Sequence, residues 1–203
     1  LDEEQPTPQE SSSPTATPVP TPMLTPTPMG AEYLRRGRQY HHVDQDYDKA
    51  IENFTEFIAL NPDHPVGYYE RAVTHLELRQ WQQALDNYTA AINLNLGIPA
   101  AYVQRGNIYS ERHGEYEKAL QDYEKALELD PDYMWAHHYK GSAHRELHQY
   151  QKAIQSFEKY VELRLIESAE WIESEQAVNA HIDIGKIYIE LSQYEKAIEH
   201  FDI

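Results

Sequence analysis

From Ala31 onward, apolar and small residues recur every three to four positions in short segments separated by polar breaks. That spacing predicts amphipathic helices rather than strands. The clearest passage is AAYVQRGNIYSERHGEYEKALQDYEKALELDPD, residues 100–132. Ala101, Tyr102, Arg105, Gly106 and Tyr109 keep helical spacing, and so do Tyr116, Ala119, Leu120, Tyr123, Ala126 and Leu127. Gly106 and Ala119 let two antiparallel helices approach closely, and Tyr123 fills the space beside them. The DPD of 130–132 is read as the end of the second helix and the start of the next. The residue before a proline disfavours helix, and proline suits a first helical turn.

The pattern returns along the chain. Small residues fall at Gly37, Ala72, Gly106, Gly141 and Gly185, in steps of 35, 34, 35 and 44. Alanines follow at Ala50, Ala84, Ala119, Ala153 and Ala197, in steps of 34, 35, 34 and 44. Aromatics lie four residues later, at Phe54, Tyr88, Tyr123, Phe157 and Phe201. Three tracks with one period define a repeated helix pair. Repeats one and three carry one extra residue between their helices, near HHVDQDY and SERHGEY. Ten extra residues sit in RLIESAEWIESEQA, 164–177, where Val161, Leu165, Ala169 and Ile172 keep helical spacing. They predict a lengthened second helix in repeat four and a lengthened first helix in repeat five.

Ahead of the repeats the periodicity is absent. Eight of the twelve prolines lie within residues 1–29, most of them in SSSPTATPVPTPMLTPTPMG. Proline fixes φ and removes an amide donor, so this arm prefers extended polyproline-II geometry. It carries the apolar side chains Val19, Met23, Leu24 and Met29.

The repeats resemble the tetratricopeptide repeat, a helix–turn–helix unit of about 34 residues. The resemblance rests on Gly37, Tyr40, Ala50, Phe54 and Pro62, then on Tyr68, Ala72, Ala84, Tyr88 and Ala91. Tyr102, Gly106, Tyr109, Ala119, Tyr123, Ala126 and Pro131 carry it through repeat three. Gly141, Ala153, Phe157 and Tyr160 follow, then Gly185, Tyr188, Ala197 and Phe201. It implies an all-α fold, a right-handed α-solenoid of about five units. The units fall near 30–64, 65–98, 99–133, 134–177 with an extended helix, and 178–203, which is incomplete. The extended Pro/Thr-rich arm, 1–29, precedes them.

In that family the first helix of each unit lines the concave face, where protein partners bind. Carried onto this chain, the resemblance implies a row of Leu34, Arg38 and His41, then Tyr69, Val73 and Leu76, then Val103 and Asn107. Trp135, His138 and Ser142 come next, then Ile182 and Lys186. Asn107 could hydrogen-bond a peptide backbone. The row lacks the basic cluster with which some family members clamp a C-terminal carboxylate. Tyr68, Tyr102 and Tyr109 are assigned to the core, whereas Tyr69 and Trp135 fall outside the core pattern and are assigned to the groove.

Net charge narrows the partners. At −17 the chain repels phosphate backbones and anionic lipid, so neither nucleic acid nor membrane is expected. No run approaches the ~18 apolar residues of a membrane helix. The absence of cysteine excludes disulfides and thiolate sites. The chain begins with Leu, which suggests a processed or trimmed start. With the Pro/Thr/Ser arm, this points to a secreted or cell-surface protein whose arm threonines are candidate O-glycan acceptors.

Eleven histidines invite a metal reading. His137, His144 and His148 are expected on one helix, and His144 and His148 have the i, i+4 spacing that can grip a metal. No HExxH pattern accompanies them, and His75, His144 and His181 fall where the repeat places core aromatics. The adjacent pairs His41–His42 and His137–His138 are expected to point apart. No metal ligand, cofactor or catalytic residue is assigned. The carboxylates occur in Glu/Lys mixtures that read as solvated helix faces. Neither a phosphate loop nor a serine elbow occurs, so no enzyme is expected.

A solenoid needs its ends covered. Ile198 and Phe201 lie near the C-terminal end and are expected to lack part of their packing. The leading expectation is a self-assembling scaffold whose arm lies on a neighbouring subunit. Val19, Met23, Leu24, Met29, Ile198 and Phe201 would be the subunit contacts, and head-to-tail stacking would give a filament. The alternatives are a monomeric adaptor on a flexible stalk that docks peptides of another protein, and a metal-handling role through His144 and His148.

Overall fold

The computed structural model describes residues 25–167 and 175–201. Val19, Met23 and Leu24, with Ala169 and Ile172, lie outside the described residues. Among the described residues ten α-helices pair in sequence: α1 (Pro28–Gln39) with α2 (Tyr47–Leu60), and α3 (Pro65–Glu77) with α4 (Trp81–Asn93). Next come α5 (Pro99–His113) with α6 (Tyr116–Leu129), α7 (Met134–Glu146) with α8 (Tyr150–Glu167), and α9 (Glu175–Glu190) with α10 (Tyr194–Phe201). Each pair also packs on the next through α2–α3, α4–α5, α6–α7 and α8–α9. This is the right-handed α-solenoid the repeats imply.

The helix starts follow local chemistry. Thr27 caps α1, its hydroxyl accepting from Gly30 N at 3.1 Å, and its own amide donates to Asn61 Oδ1 at 2.9 Å. The end of the arm is thereby pinned to the end of α2, and Pro28 and Met29 form the first turn of α1 rather than arm. Pro65 and Pro99 open α3 and α5. Pro131 does not enter α7: it lies in the turn before it, where Asp130 Oδ1 accepts from Asp132 N at 3.1 Å. The DPD segment is therefore an Asx-type turn, in which the short aspartate side chain accepts from the backbone amide two residues on.

Five small–aromatic pairs hold the helix pairs together. A Cβ placed on Gly37 would lie 2.5 Å from Phe54, one on Gly106 2.6 Å from Tyr123, and one on Gly141 2.9 Å from Phe157. On Gly185 it would lie 2.5 Å from Phe201. Ala72 and Tyr88 share the cluster of repeat two, both fully buried. Each buried ring contributes roughly 1.5–3 kcal/mol of hydrophobic stabilisation. Tyr68, Tyr102 and Tyr109 are half-buried and pack on these clusters, as the repeat assigns them.

One backbone bond closes the turn inside every pair. The N–H before the second helix donates to a carbonyl near the end of the first: Gln80 to His75, Gln149 to His144 and Gln193 to Tyr188. In repeats one and three the same bond runs from Asp46 to Tyr40 and from Glu115 to Tyr109, one residue wider. The extra residue is absorbed in a π turn over Tyr40–Asp44 in repeat one, and by continuing α5 to His113 in repeat three. The π turn brings the His41 and His42 rings to 4.5 Å, so this adjacent pair does not point apart. The inserted residues near 164–177 lengthen α8 to 18 residues and α9 to 16. None of the described helices is long and apolar enough to cross a membrane.

Candidate functional site

The first helices of successive pairs stand side by side. Arg38 Nε donates to Glu70 Oε1 at 2.7 Å and links α1 to α3. His41 Nδ1 lies 3.0 Å from Thr74 Oγ1 across the same junction, α5 touches α7, and Arg145 Nη1 reaches Asp183 Oδ1 on α9 at 2.6 Å. Three cavities lie along this row. One of about 190 Å³ is bounded by Leu76, Trp81, Asn107, Glu111, Arg112 and Tyr139. A second, of about 360 Å³, shares Glu111 and Tyr139 with it and adds Tyr123, His138, Ser142 and Glu146. The third, of about 320 Å³, shares His138 and is completed by Trp135, Tyr160, Asn179, Ile182, Asp183 and Lys186. The shared walls make them one broken groove over α3, α5, α7 and α9.

Aromatic rings line its middle and far end. Tyr123 stacks on Tyr139 at 6.2 Å, and Tyr139 meets His138 at 5.2 Å and Trp135 at 6.4 Å. His138 lies 4.9 Å from Tyr160, which lies 6.0 Å from Trp135. Trp135 is 38% exposed, so its face is open to a ligand. His138 Nδ1 is buried without a hydrogen-bond partner, and burial holds the imidazole pKa below its ordinary value. Near the other end the Arg112 guanidinium lies 4.1 Å over the Trp81 ring. The rim acids Glu111, Glu146 and Asp183 are matched by cations: Arg145 lies 2.6 Å from Asp183 and 3.6 Å from Glu146, Arg112 4.0 Å from Glu111, and Lys186 3.8 Å from Asp183.

The residues expected in the groove divide by environment. Leu34 is half-buried on α1, and Arg38 is exposed but paired with Glu70. Tyr69, Val73 and Leu76 are half-buried against the α3–α4 core, with the Tyr69 ring edge-on to Tyr88 at 5.9 Å. Val103 is 2% exposed and belongs to the α5–α7 core with Ala136 and Ala143, which takes it out of reach of a ligand. Asn107 Oδ1 already accepts from Tyr123 Oη at 2.8 Å. Trp135 and His138 line the cavities. Met29, Ile198 and Phe201 are 65%, 57% and 45% exposed.

Tyr139, Glu111, Trp81 and Arg112 were not anticipated. Tyr139 lies beside His138, so a stripe one residue wider would have included it, and Glu111 lies one helical turn beyond Asn107, so a longer stripe would have included it. Trp81 opens a second helix, where the family pattern places no groove residue.

The histidine arrangement differs from expectation. His148 is beyond the end of α7 in a left-handed conformation, φ 56°, so it is not one helical turn above His144. Its Nδ1 meets Tyr150 Oη at 2.8 Å, while His144 Nδ1 meets Gln149 Oε1 at 2.9 Å. The i, i+4 pair therefore does not form. Among the described residues no three metal-ligating groups converge.

Profiles of the tetratricopeptide repeat match residues 44–94, 112–147, and 136–165 with 178–202, together more than half of the chain. No curated protein sequence matches it. Among solved structures, MamA from Desulfovibrio magneticus RS-1, from residue 41 to its end, superposes with a TM-score of 0.74 at 17% identity, over 88% of this chain and 94% of that one. YrrB, described as a TPR protein with an unusual peptide-binding site, gives 0.70 at 16% identity, over 84% and 81%. The first TPR of Spaghetti (RPAP3), bound to the HSP90 peptide SRMEEVD, gives 0.55 at 27% identity, over 59% and 93%. The repeat tracks, the paired helices and these matches agree: the chain belongs to the tetratricopeptide repeat family, whose fold is a scaffold for protein–protein contact.

Proposed function

We propose that the protein is a non-enzymatic scaffold that works outside the cytoplasm and assembles with copies of itself, the N-terminal arm of one copy lying in the first-helix groove of the next. The observation that carries this reading is the run of rings Tyr123, Tyr139, His138, Trp135 and Tyr160 along adjoining cavities. A proline-rich segment brings carbonyl acceptors and few amide donors. It therefore suits a wall of aromatic faces with donors beside it, such as the Trp135 indole and the Asn179 amide. Residues 11–29 carry no charge and escape the repulsion that the net charge of −17 exerts on acidic peptides. Met29, Ile198 and Phe201 are exposed enough to take part in contacts between copies.

The test compares the full chain with a form lacking residues 1–24, by light scattering and electron microscopy. The cut spares the Thr27 cap and α1. Assembly that disappears with the arm supports the reading. Assembly unchanged by the deletion removes the arm from it, and a full chain that stays monomeric at high concentration overturns self-assembly.

A second reading, a monomeric adaptor for peptides of another protein, is favoured by the peptide-bound state of the Spaghetti repeat and by the peptide site of YrrB. It predicts fast arm motion by NMR and no self-association.

A further inference from the structure

In the second and third repeats an arginine is held between a tyrosine ring and an acid or amide, and the fifth repeat carries different residues at those positions. In repeat three the Arg105 guanidinium lies 5.9 Å from the Tyr102 ring centroid and reaches Asp122 on α6, with Nε–Oδ2 2.8 Å and Nη2–Oδ1 2.6 Å. In repeat two Arg71 lies 5.9 Å from the Tyr68 ring centroid, and its Nε donates to Asn87 Oδ1 at 2.9 Å. The same three positions in repeat five are His181, Ile184 and His200. Ile184 is 1% exposed in the apolar core and brings no charge. The imidazoles at the tyrosine and acid positions face each other instead, Nδ1 to Nδ1 at 3.1 Å, with ring centroids 5.4 Å apart.

We infer that His181 and His200 form a two-imidazole site for a divalent transition-metal ion of the zinc, nickel and copper class, standing where repeats two and three hold a guanidinium. Two nitrogens each about 2.0–2.1 Å from a metal lie about 2.9–3.4 Å apart across square-planar or tetrahedral angles, which brackets the observed separation. Neutral imidazoles can both offer Nδ1 lone pairs with their protons on Nε2, so binding requires a tautomer change and no net loss of protons. Burial lowers both pKa values, which keeps the rings neutral near pH 7. The scaffold is in place beforehand: the neighbouring Phe201 packs over Gly185, and the Tyr188 ring stacks on His200 at 5.5 Å and 24°. The Glu158 and Glu199 carboxylates act on His200 and favour a cation, while Lys196, 5.3 Å over Tyr188, opposes it. Among the described residues no third ligating side chain joins the two imidazoles, so water would complete the coordination. The ion would clamp α9 to α10 and stiffen the last helix pair.

Titrate the full chain with Zn²⁺ by calorimetry, and with Cu²⁺ while recording electron paramagnetic resonance for nitrogen ligation. The expected result is one site per chain. His181→Ala and His200→Ala should each weaken it at least tenfold, and His144→Ala/His148→Ala should leave it unchanged. Zn²⁺ should raise the melting temperature of the native chain but not of the His200→Ala form, a comparison that does not require the variant to be as stable as the parent. Absence of binding, or binding of equal strength in the His181→Ala/His200→Ala form, overturns the site.

Discussion

The Tyr123 hydroxyl donates to Asn107 Oδ1 at 2.8 Å, whereas the Tyr88 hydroxyl, at the same position one repeat earlier, is buried without a partner. Ser110 Oγ also lies 3.3 Å from Tyr123 Oη. Val73 and Leu76 occupy the positions of Asn107 and Ser110 in repeat two, so Tyr88 has lost both polar neighbours. Burial drives both phenol pKa values far upward, and these hydroxyls stay neutral across the accessible pH range. Tyr88→Phe removes a dehydrated hydroxyl that gains nothing in return, and should leave stability unchanged or raise it by about 1 kcal/mol. Tyr123→Phe should cost about 1 kcal/mol, because it breaks a formed bond between Tyr123 and Asn107. Urea denaturation of the two variants checks the difference in sign.

Gly106 faces the same ring. A Cβ there would stand 2.6 Å from Tyr123 Cε1 and 3.2 Å from the Ala119 carbonyl oxygen. Tyr123 is held by its hydroxyl bond and cannot swing away cheaply. Gly106→Ala should therefore destabilise by about 1–2 kcal/mol, after allowing for the roughly 1 kcal/mol that alanine gains as a helix former. Repeat two carries Ala72 at this position beside Tyr88, whose hydroxyl bonds to nothing. Combining Gly106→Ala with Tyr123→Phe should cost less than the sum of the two changes, measured as a double-mutant cycle.

The fold was legible because its signals are packing signals. Gly106, Ala119 and Tyr123 recur at one period since each helix pair buries the same small–aromatic contact. The turns were not legible. Five turns each place one residue at positive φ two positions before the second helix: Gln45, Arg79, Gly114, His148 and Ser192. Only one of these is a glycine, the residue that marks such a conformation in a sequence. Hence the length of the break could be read, but not the π turn or the departure of His148 from α7. The groove was half legible. Trp135 and His138 follow from the first-helix register, but Val103 lies in the core, Tyr139 depends on how far its helix is rotated, and Glu111 on how far along α5 the groove runs. The contact of His181 with His200 crosses between two helices and leaves no local spacing to find.

Stability should fall as the solution is acidified from pH 7.5 to 5.5. His41, His75, His137, His138, His144, His181 and His200 all have pKa values below the ordinary one, with burial as the first cause in each. The unfolded chain takes up protons near pH 6.5 that the native chain refuses until lower pH. Below about 6.5 the unfolded state therefore binds more protons, and stability drops with pH until the lowered native values are passed. Melting temperatures across this window should decline toward pH 5.5, with a shallower slope in His144→Gln. A flat profile in the native chain would contradict the burial of these rings.

Arg105 and Asp122 form a partly buried pair, their side chains retaining 16% and 6% exposure. Burial alone would depress the guanidinium pKa, but the hydrogen bond and charge of Asp122 outweigh it and the net shift is upward. Arg71 faces the neutral Asn87 instead, and burial pulls its pKa down. Removing the cation in repeat three strands a buried carboxylate, while removing it in repeat two strands an amide. Arg105→Met should thus cost about 3 kcal/mol, the low end for a buried pair because part of the guanidinium is wet. Arg71→Met should cost about 1 kcal/mol, the scale of a single neutral bond. Arg105→Met/Asp122→Leu should recover most of the loss, since replacing both charges with apolar side chains leaves nothing stranded. Chemical denaturation of the three variants checks this order, and a double variant no more stable than Arg105→Met would show that the pair is held for its attraction rather than for the avoidance of a bare charge.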